Sequence, residues 1–249
     1  MDNSTYVALS LAQSMRRDLD VTSNNIANAN TAGFKGEHLV FESYLHKGGQ
    51  AADDEQISFV ADSGSYTDDS QGPMSQTGNS LDIALLGKGW ISYRTEDNKL
   101  AYGRDGRLAL DPNGTLVTLT GAKVLDESGG EISIPPDAGE IEIARDGTIS
   151  SATSGPIARI GVFDLPDLQV LERMGNGMLT RPEGSPASIA VAATGTEVVQ
   201  GAIEGSNVQP VTEMTRLMEI QRSYERAINL MNGGDELRRD TLQRLGRLG

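Results

Sequence analysis

The two ends of this chain carry the same unusual pattern, and it limits the fold more than any other feature. Between Ser4 and Asn28 there is no Gly or Pro. Within that stretch Ala8, Ala12, Met15, Leu19, Thr22 and Ile26 recur at spacings of four and three, the signature of a helix with one narrow apolar seam. Near the other end Met214, Leu217, Gln221, Tyr224, Ile228 and Met231 repeat the pattern. Both seams are thin and hold small or polar residues. Helices this weakly apolar are marginal alone in water, so each is expected to need a partner. Ser206, Asn207 and Gln209 are expected to cap the second helix, and Pro210 suits its first turn. Glu213, Arg216, Glu219, Arg222 and Glu225 alternate in sign along it and lend local ion-pair support. Gly233-Gly234 predicts a bend or break, with resumption through Leu237, Leu242 and Leu245. Gly33 is expected to stop the first helix in the left-handed conformation.

Between the helical ends the pattern changes to turns and period two. Asp105-Gly106, Asp111-Pro112-Asn113-Gly114, Ser128-Gly129-Gly130 and Asp146-Gly147 are turn sequences. Short strands are predicted between them at Leu81–Leu86, Trp90–Arg94, Leu116–Leu119, Glu140–Ala144 and Ala158–Asp164. Turns about every ten residues predict a barrel-like or sandwich-like all-β body. Residues 47–80, rich in Gly, Ser, Asp and Gln, read as an extended or weakly ordered connector. The expected fold class is therefore α+β, an antiparallel coiled-coil-like pair of terminal helices with an inserted β domain. In numbers, 1–35 and 205–249 form a discontinuous helical assembly domain. Residues 36–76 form the connector and 77–204 the β-rich outer domain.

Charge and composition exclude several functions. The net charge of −14 disfavours nucleic acid as a partner. That charge is concentrated: residues 1–35 are neutral and 205–249 carry +1, which leaves −15 in the middle. There is no cysteine, so thiol catalysis, disulfides and thiolate metal sites are excluded. Aromatic residues make up only 4%, which argues against a deep ligand pocket. No apolar run suits a membrane span, and the first residues lack the pattern of a cleaved leader. His38 and His46 lie in polar surroundings and read as exposed. Gly87-Lys88-Gly89 lacks the spacing of a phosphate loop and reads as a turn. Asp111 to Gly114 lacks the later ligands of a calcium loop. No catalytic, cofactor or metal constellation is expected, and no small-molecule substrate.

The densest local oddity is Asn24-Asn25-Ile26-Ala27-Asn28-Ala29-Asn30. Asparagine is a poor helix-interior residue. A cluster at a helix end signals either fraying or side-chain amides that set the register of a partner helix. Read on through Thr31-Ala32-Gly33-Phe34-Lys35, the segment resembles the signature of the flagellar rod and hook proteins. Further blocks of that family resemblance follow in order: Thr77 to Leu85 with Gly87-Lys88-Gly89-Trp90, Tyr102 to Gly106, Asp111 to Gly121, Gly201 to Val208, and Met214 to Tyr224. Together they span residues 4–231. At its matching positions the motif comprises Asn24, Asn25, Ile26, Ala27, Asn28, Gly33, Phe34, Lys35, Ser206, Asn207 and Val208. Within the family the proximal rod branch resembles the chain most, with the distal rod branch next and the longer hook proteins further off.

The resemblance implies a non-enzymatic structural subunit of the flagellar basal-body rod. It implies export through the flagellum's own apparatus without a cleaved leader, and assembly with itself and other rod subunits into a helical array around a channel. It further implies that the terminal helices lie innermost and that the shaft transmits torque. The seam residues, with Asn25 and Asn28, are then the expected subunit-assembly positions. The ends are expected to order only as the array forms. A secreted β-rich adhesin is the competing reading, but it leaves the helical ends without a task. A hydrolase with a dispersed site is another, but no side chain supports it.

Overall fold

The computed structural model describes residues 3–46, 57–182, 184 and 190–245; side chains are described for 8–40, 64–182, 184, 190–233 and 243. The chain divides into two compact units. A helical unit takes in Met1–Ala27, Glu37–Tyr66 and Gln209–Gly249, and a β-rich unit takes in Asn28–Gly36 and Thr67–Val208. The fold class is α+β.

The helical unit contains α1 (Asn3–Ala27), β1 (Glu37–His46), β2 (Ile57–Thr67) and α2 (Pro210–Leu245). β1 and β2 pair with each other. Part of the expected connector is thus a strand pair. Its strands were hidden because the intervening Gly- and Asp-rich residues 47–56, which lie outside the described residues, dominate the local composition. α1 packs along α2. The contacts place Asn25 beside Glu213 and Asp18 beside Arg216, so the helices run antiparallel.

Helix α2 runs unbroken through Gly233-Gly234. The expected interruption is absent because each glycine costs only about 1 kcal/mol and the flanking Leu, Met, Glu and Arg residues favour helix. The side chains of Leu237, Leu242 and Leu245 lie outside the described residues. The expected caps also differ. The Gln209 carbonyl accepts the Glu213 N–H at 3.0 Å, while the Ser206 hydroxyl accepts the Val208 N–H and Asn207 is engaged elsewhere.

The β-rich unit holds β3 (Met74–Gln76), β4 (Ile83–Leu86), β5 (Trp90–Arg94), β6 (Leu100–Gly103), β7 (Leu108–Leu110), β8 (Leu116–Thr118), β9 (Lys123–Val124), β10 (Ile141–Ile143), β11 (Thr148–Ser151), β12 (Gly155–Arg159), β13 (Val162–Asp164), β14 (Glu172–Arg173), β15 (Leu179–Thr180), β16 (Val191–Ala192), β17 (Glu197–Gln200) and β18 (Ala202–Glu204). The largest sheet runs β14-β15-β6-β5-β9-β8-β7, with β13 bridging β5 and β16; β10-β11-β12, β17-β4 and β18-β3 form smaller sheets. The long path is open at β14 and β7, so it does not close into a barrel. Period-two burial explains the strands. Ile141 and Ile143 point inward while Glu142 points out.

The core is aliphatic. Ile83, Leu85, Ile91, Tyr93, Leu116, Val124, Ile149 and Ile160 are all solvent-free or nearly so. A second cluster gathers Trp90, Tyr102, Leu168 and Leu179.

The turns follow the sequence chemistry. The Asp111 carboxylate accepts the N–H groups of Asn113 and Thr115 at 2.9 and 2.7 Å. Asp126 accepts those of Ser128 and Gly130 at 2.8 and 2.7 Å. These bonds favour the ionised form, and both carboxyl groups sit below the ordinary aspartate value. For Asp111 the main cause is the Thr115 N–H; for Asp126 it is the Ser128 hydroxyl.

Candidate functional site

Two polar clusters carry the positions singled out in the sequence, one in each unit.

In the helical unit the buried α1 stripe is mostly polar: Ala12, Ser14, Asp18, Thr22 and Asn25. Opposite it, α2 buries Glu213, Ile220 and Ala227, which fall seven apart. Leu217, Tyr224, Ile228 and Met231 are half-buried, as are Ala8, Met15, Leu19, Ile26 and Asn28. Gln221 is exposed, and Met214 is 52% exposed. The α2 seam is therefore turned by one residue from the expected one. Met214 suggested the core by its chemistry, whereas Glu213 occupies it because Asn25 supplies a partner.

The Asn25 side chain makes the bonds that the asparagine cluster hinted at. Its amide donates to the Glu37 carbonyl at 2.8 Å and to Glu213 at 3.4 Å, and its oxygen accepts the Glu37 N–H at 3.0 Å. One residue thus ties the end of α1 to both β1 and α2, whereas Asn24 is exposed. Beside it, Arg216 donates to Asp18 at 3.0 Å and also reaches the His38 ring nitrogen at 3.0 Å. His38, expected to be exposed, is half-buried, and its ring lies 5.5 Å from that of Tyr66. Burial raises the Asp18 carboxyl above its ordinary value and outweighs the pull of Arg216. A cleft of about 290 Å³ remains open between the helices, lined by Leu11, Met15 and Ile220.

In the β-rich unit the two halves of the motif meet. Glu204, with 0% side-chain exposure, accepts Lys35 on one oxygen and Arg104 on the other, each at 2.7 Å. The Glu204 Oε1 atom that accepts Lys35 also accepts the Gly72 N–H at 2.8 Å. Lys35 donates as well to the Ser70 carbonyl, and Arg104 donates to the carbonyls of Leu85, Gly87 and Gly89. Desolvation holds the Lys35 ammonium below the ordinary lysine value despite Glu204. Phe34 lies under the Arg173 guanidinium, 5.1 Å from the ring centre.

Gly33 adopts φ +67°, and a Cβ there would overlap the backbone of Arg104 and Asp105. It serves close approach between segments; α1 itself ends six residues earlier, at Ala27. Asn207 accepts the Gly36 N–H at 2.7 Å and donates to Asp68 and Ser70. Val208, next to it, is half-buried.

Arg104 and Glu204 had no sequence signal beyond their place in the motif blocks, because a charged residue in a short strand reads as solvent-facing. Among the described residues no group of three or more His, Asp or Glu side chains is placed to hold a metal ion. The chemistry on offer in both clusters is that of joints: buried, hydrogen-bonded polar groups between segments far apart in sequence.

Sequence comparison agrees with that picture. The profile described as "Flagella basal body rod protein" matches residues 6–35, "Flagellar hook protein FlgE/F/G D1 domain" matches 84–151, and "Flagellar basal body rod FlgEFG protein C-terminal" matches 199–244. The flagellar basal-body rod protein FlgF of Caulobacter vibrioides is 39% identical over 249 residues, covering 100% of both chains. This chain belongs to the flagellar basal-body rod protein family. FlgF of Mesorhizobium japonicum is 33% identical over 93% of this chain and 92% of its own length. FlgG of Buchnera aphidicola subsp. Schizaphis graminum is 32% identical over 93% and 94%. As a family member the chain is a structural subunit of the basal-body rod. The family profiles fall on α1 with the Lys35 segment, on the strands from β4 to β11, and on the Glu204–Asn207 segment with α2.

Proposed function

We propose that this subunit builds into the rod through its α1–α2 pair and occupies the proximal part of the shaft. The pair, coiled-coil-like in its antiparallel packing, supplies the contacts to copies of the same chain and to other rod subunits. These head-to-tail contacts do not close on themselves and so generate a helical array. The array encloses the export channel and carries torque. The acidic β-rich body within 77–204 faces outward, and 36–76 links it to the assembly domain of 1–35 and 205–249. The subunit reaches its place through the flagellar export apparatus. It is not an enzyme and takes no cofactor, nucleic acid or small-molecule substrate.

The observation that carries this reading is the composition of the helix pair. Its described buried apolar residues are few, two alanines and one isoleucine: Ala12, Ala227 and Ile220. Meanwhile Val211, Met214 and Met218 form an outward apolar stripe on α2, exposed by 78%, 52% and 49%. Such a pair is weakly held alone and gains by packing against neighbours. Amide exchange tests this. Helices α1 and α2 should exchange quickly in the free subunit and slowly in purified rods. Equal protection in both would refute the reading.

A further inference from the structure

We propose that residues 204–207 are a keystone that closes last, so that the motif segment 33–36 stays open until the far end of the β-rich unit has arrived. This goes beyond the rod assignment and stands without it. Three segments meet at the keystone: 33–36, 68–73 and 204–207. Most bonds joining them involve the last; the exceptions are the Asp68 N–H to the Gly36 carbonyl at 2.9 Å and the Lys35 ammonium to the Ser70 carbonyl at 2.6 Å. Gly33 N–H donates to the Glu204 carbonyl at 2.8 Å, Asn207 N–H to Phe34, and Gly205 N–H to Pro73. Lys35 and Gly72 bond the Glu204 carboxylate, while Gly36, Asp68 and Ser70 bond the Asn207 side chain. The partners lie 169, 132, 171 and 139 residues apart for Lys35, Gly72, Gly36 and Asp68. Contacts this distant in sequence carry a large loop-closure cost and form late.

Charge makes the order strict. With Glu204 absent, the site would hold two cations, Lys35 and Arg104, in a place where both are only 2% exposed. Two like charges without a counterion resist desolvation strongly. Arg104 still has three backbone carbonyls as acceptors, but Lys35 keeps only Ser70. The N-terminal segment therefore cannot close against the Arg104–Asp105 backbone before the carboxylate arrives. The chain passes between the two units at 27–28, 36–37, 66–67 and 208–209, and the last three crossings each lie within two residues of Gly36, Asp68 or Asn207.

The test is amide exchange on the full chain, as wild type, Glu204→Gln, Lys35→Met and the double variant. Glu204→Gln should speed exchange in 33–36 and 68–73 by about two to three orders of magnitude, the equivalent of the 3–5 kcal/mol typical of an uncompensated buried charge. Strands β10–β12 should keep their wild-type rates. Lys35→Met alone should change little, and in the Glu204→Gln background it should restore most of the protection. Equal rates in all four proteins overturn the proposal. So does loss spread evenly over β10–β12, or a double variant no better protected than Glu204→Gln. If Glu204→Gln does not fold, pulse labelling of refolding wild-type chain decides. Protection of 33–36 and 68–73 must then appear after that of β5–β9, and simultaneous or earlier protection overturns the proposal.

Discussion

Replacing Gly33 with alanine isolates the close approach at the motif. The residue sits at φ +67°, which costs a side-chain-bearing residue about 1–2 kcal/mol. A Cβ would also overlap the Arg104 carbonyl and the Asp105 nitrogen, both backbone atoms that cannot swing aside. The segments must separate, which strains the Gly33 N–H bond to Glu204 (2.8 Å). A lost backbone bond adds about 1 kcal/mol. The expected total is about 3 kcal/mol. Gly129 is the control, at φ +84° with open space around the missing Cβ, so Gly129→Ala should cost only the conformational term.

Trp90 is the sole tryptophan and lies buried in the β-rich unit, so its fluorescence follows that unit alone. For a unit of roughly 150 residues, 1 kcal/mol moves the midpoint by about 2–4 °C. Gly33→Ala should lower the Trp90 thermal midpoint by about 6–12 °C, and Gly129→Ala by about 2–8 °C, with the Gly33 shift the larger of the two. Equal shifts for the two variants would refute the close-approach argument.

Other perturbations follow from the same contacts. Tyr93 donates to the Asp105 carbonyl at 2.8 Å, and burial holds its phenol well above its ordinary value. Its neutral form therefore stabilises the fold fully below about pH 10, and this contribution is lost as pH rises further. Tyr93→Phe should cost about 1–2 kcal/mol at neutral pH and should flatten the alkaline loss in urea titrations; an unchanged alkaline slope would contradict it. Asp18 is raised by burial, so it favours the fold below pH 3.8 and loses that advantage as pH climbs through its raised value. Relative to Asp18→Asn, the wild-type helix pair should weaken across that window by circular dichroism; a constant difference would count against this. Met214→Asp should leave the Trp90 transition within about 0.5 kcal/mol, as expected of a surface site, while reducing incorporation into purified basal bodies. Normal incorporation would remove Met214 from the assembly surface.

Much of this fold was legible because helical periodicity survives in any helix that packs on something. The spacing of Ala12, Thr22, Leu217 and Tyr224 marked both helices. It did not fix the face of α2, since Glu213 looks polar and Met214 apolar while burial is the reverse. A buried Glu needs Asn25 opposite it, and that pairing is a tertiary fact. The strands around Trp90–Arg94 and the Asp-Gly turns were legible because turn chemistry is local. The β1–β2 pair was masked by the composition between its strands. The Lys35–Glu204–Arg104 cluster was invisible to pattern, because three charges in alternating or loop positions describe a solvated surface equally well. Asn207, expected to cap the helix that starts three positions later at Pro210, instead bonds Gly36, Asp68 and Ser70.

In the proposed rod the subunit assembles through its paired ends. A cryo-electron microscopy map of purified basal bodies, resolved well enough to place this chain, tests it most directly. In that map α1 and α2 should pack against helices of neighbouring subunits, with Val211, Met214 and Met218 covered. A map in which those helices face open solvent, and neighbours touch only the β-rich unit, would contradict it.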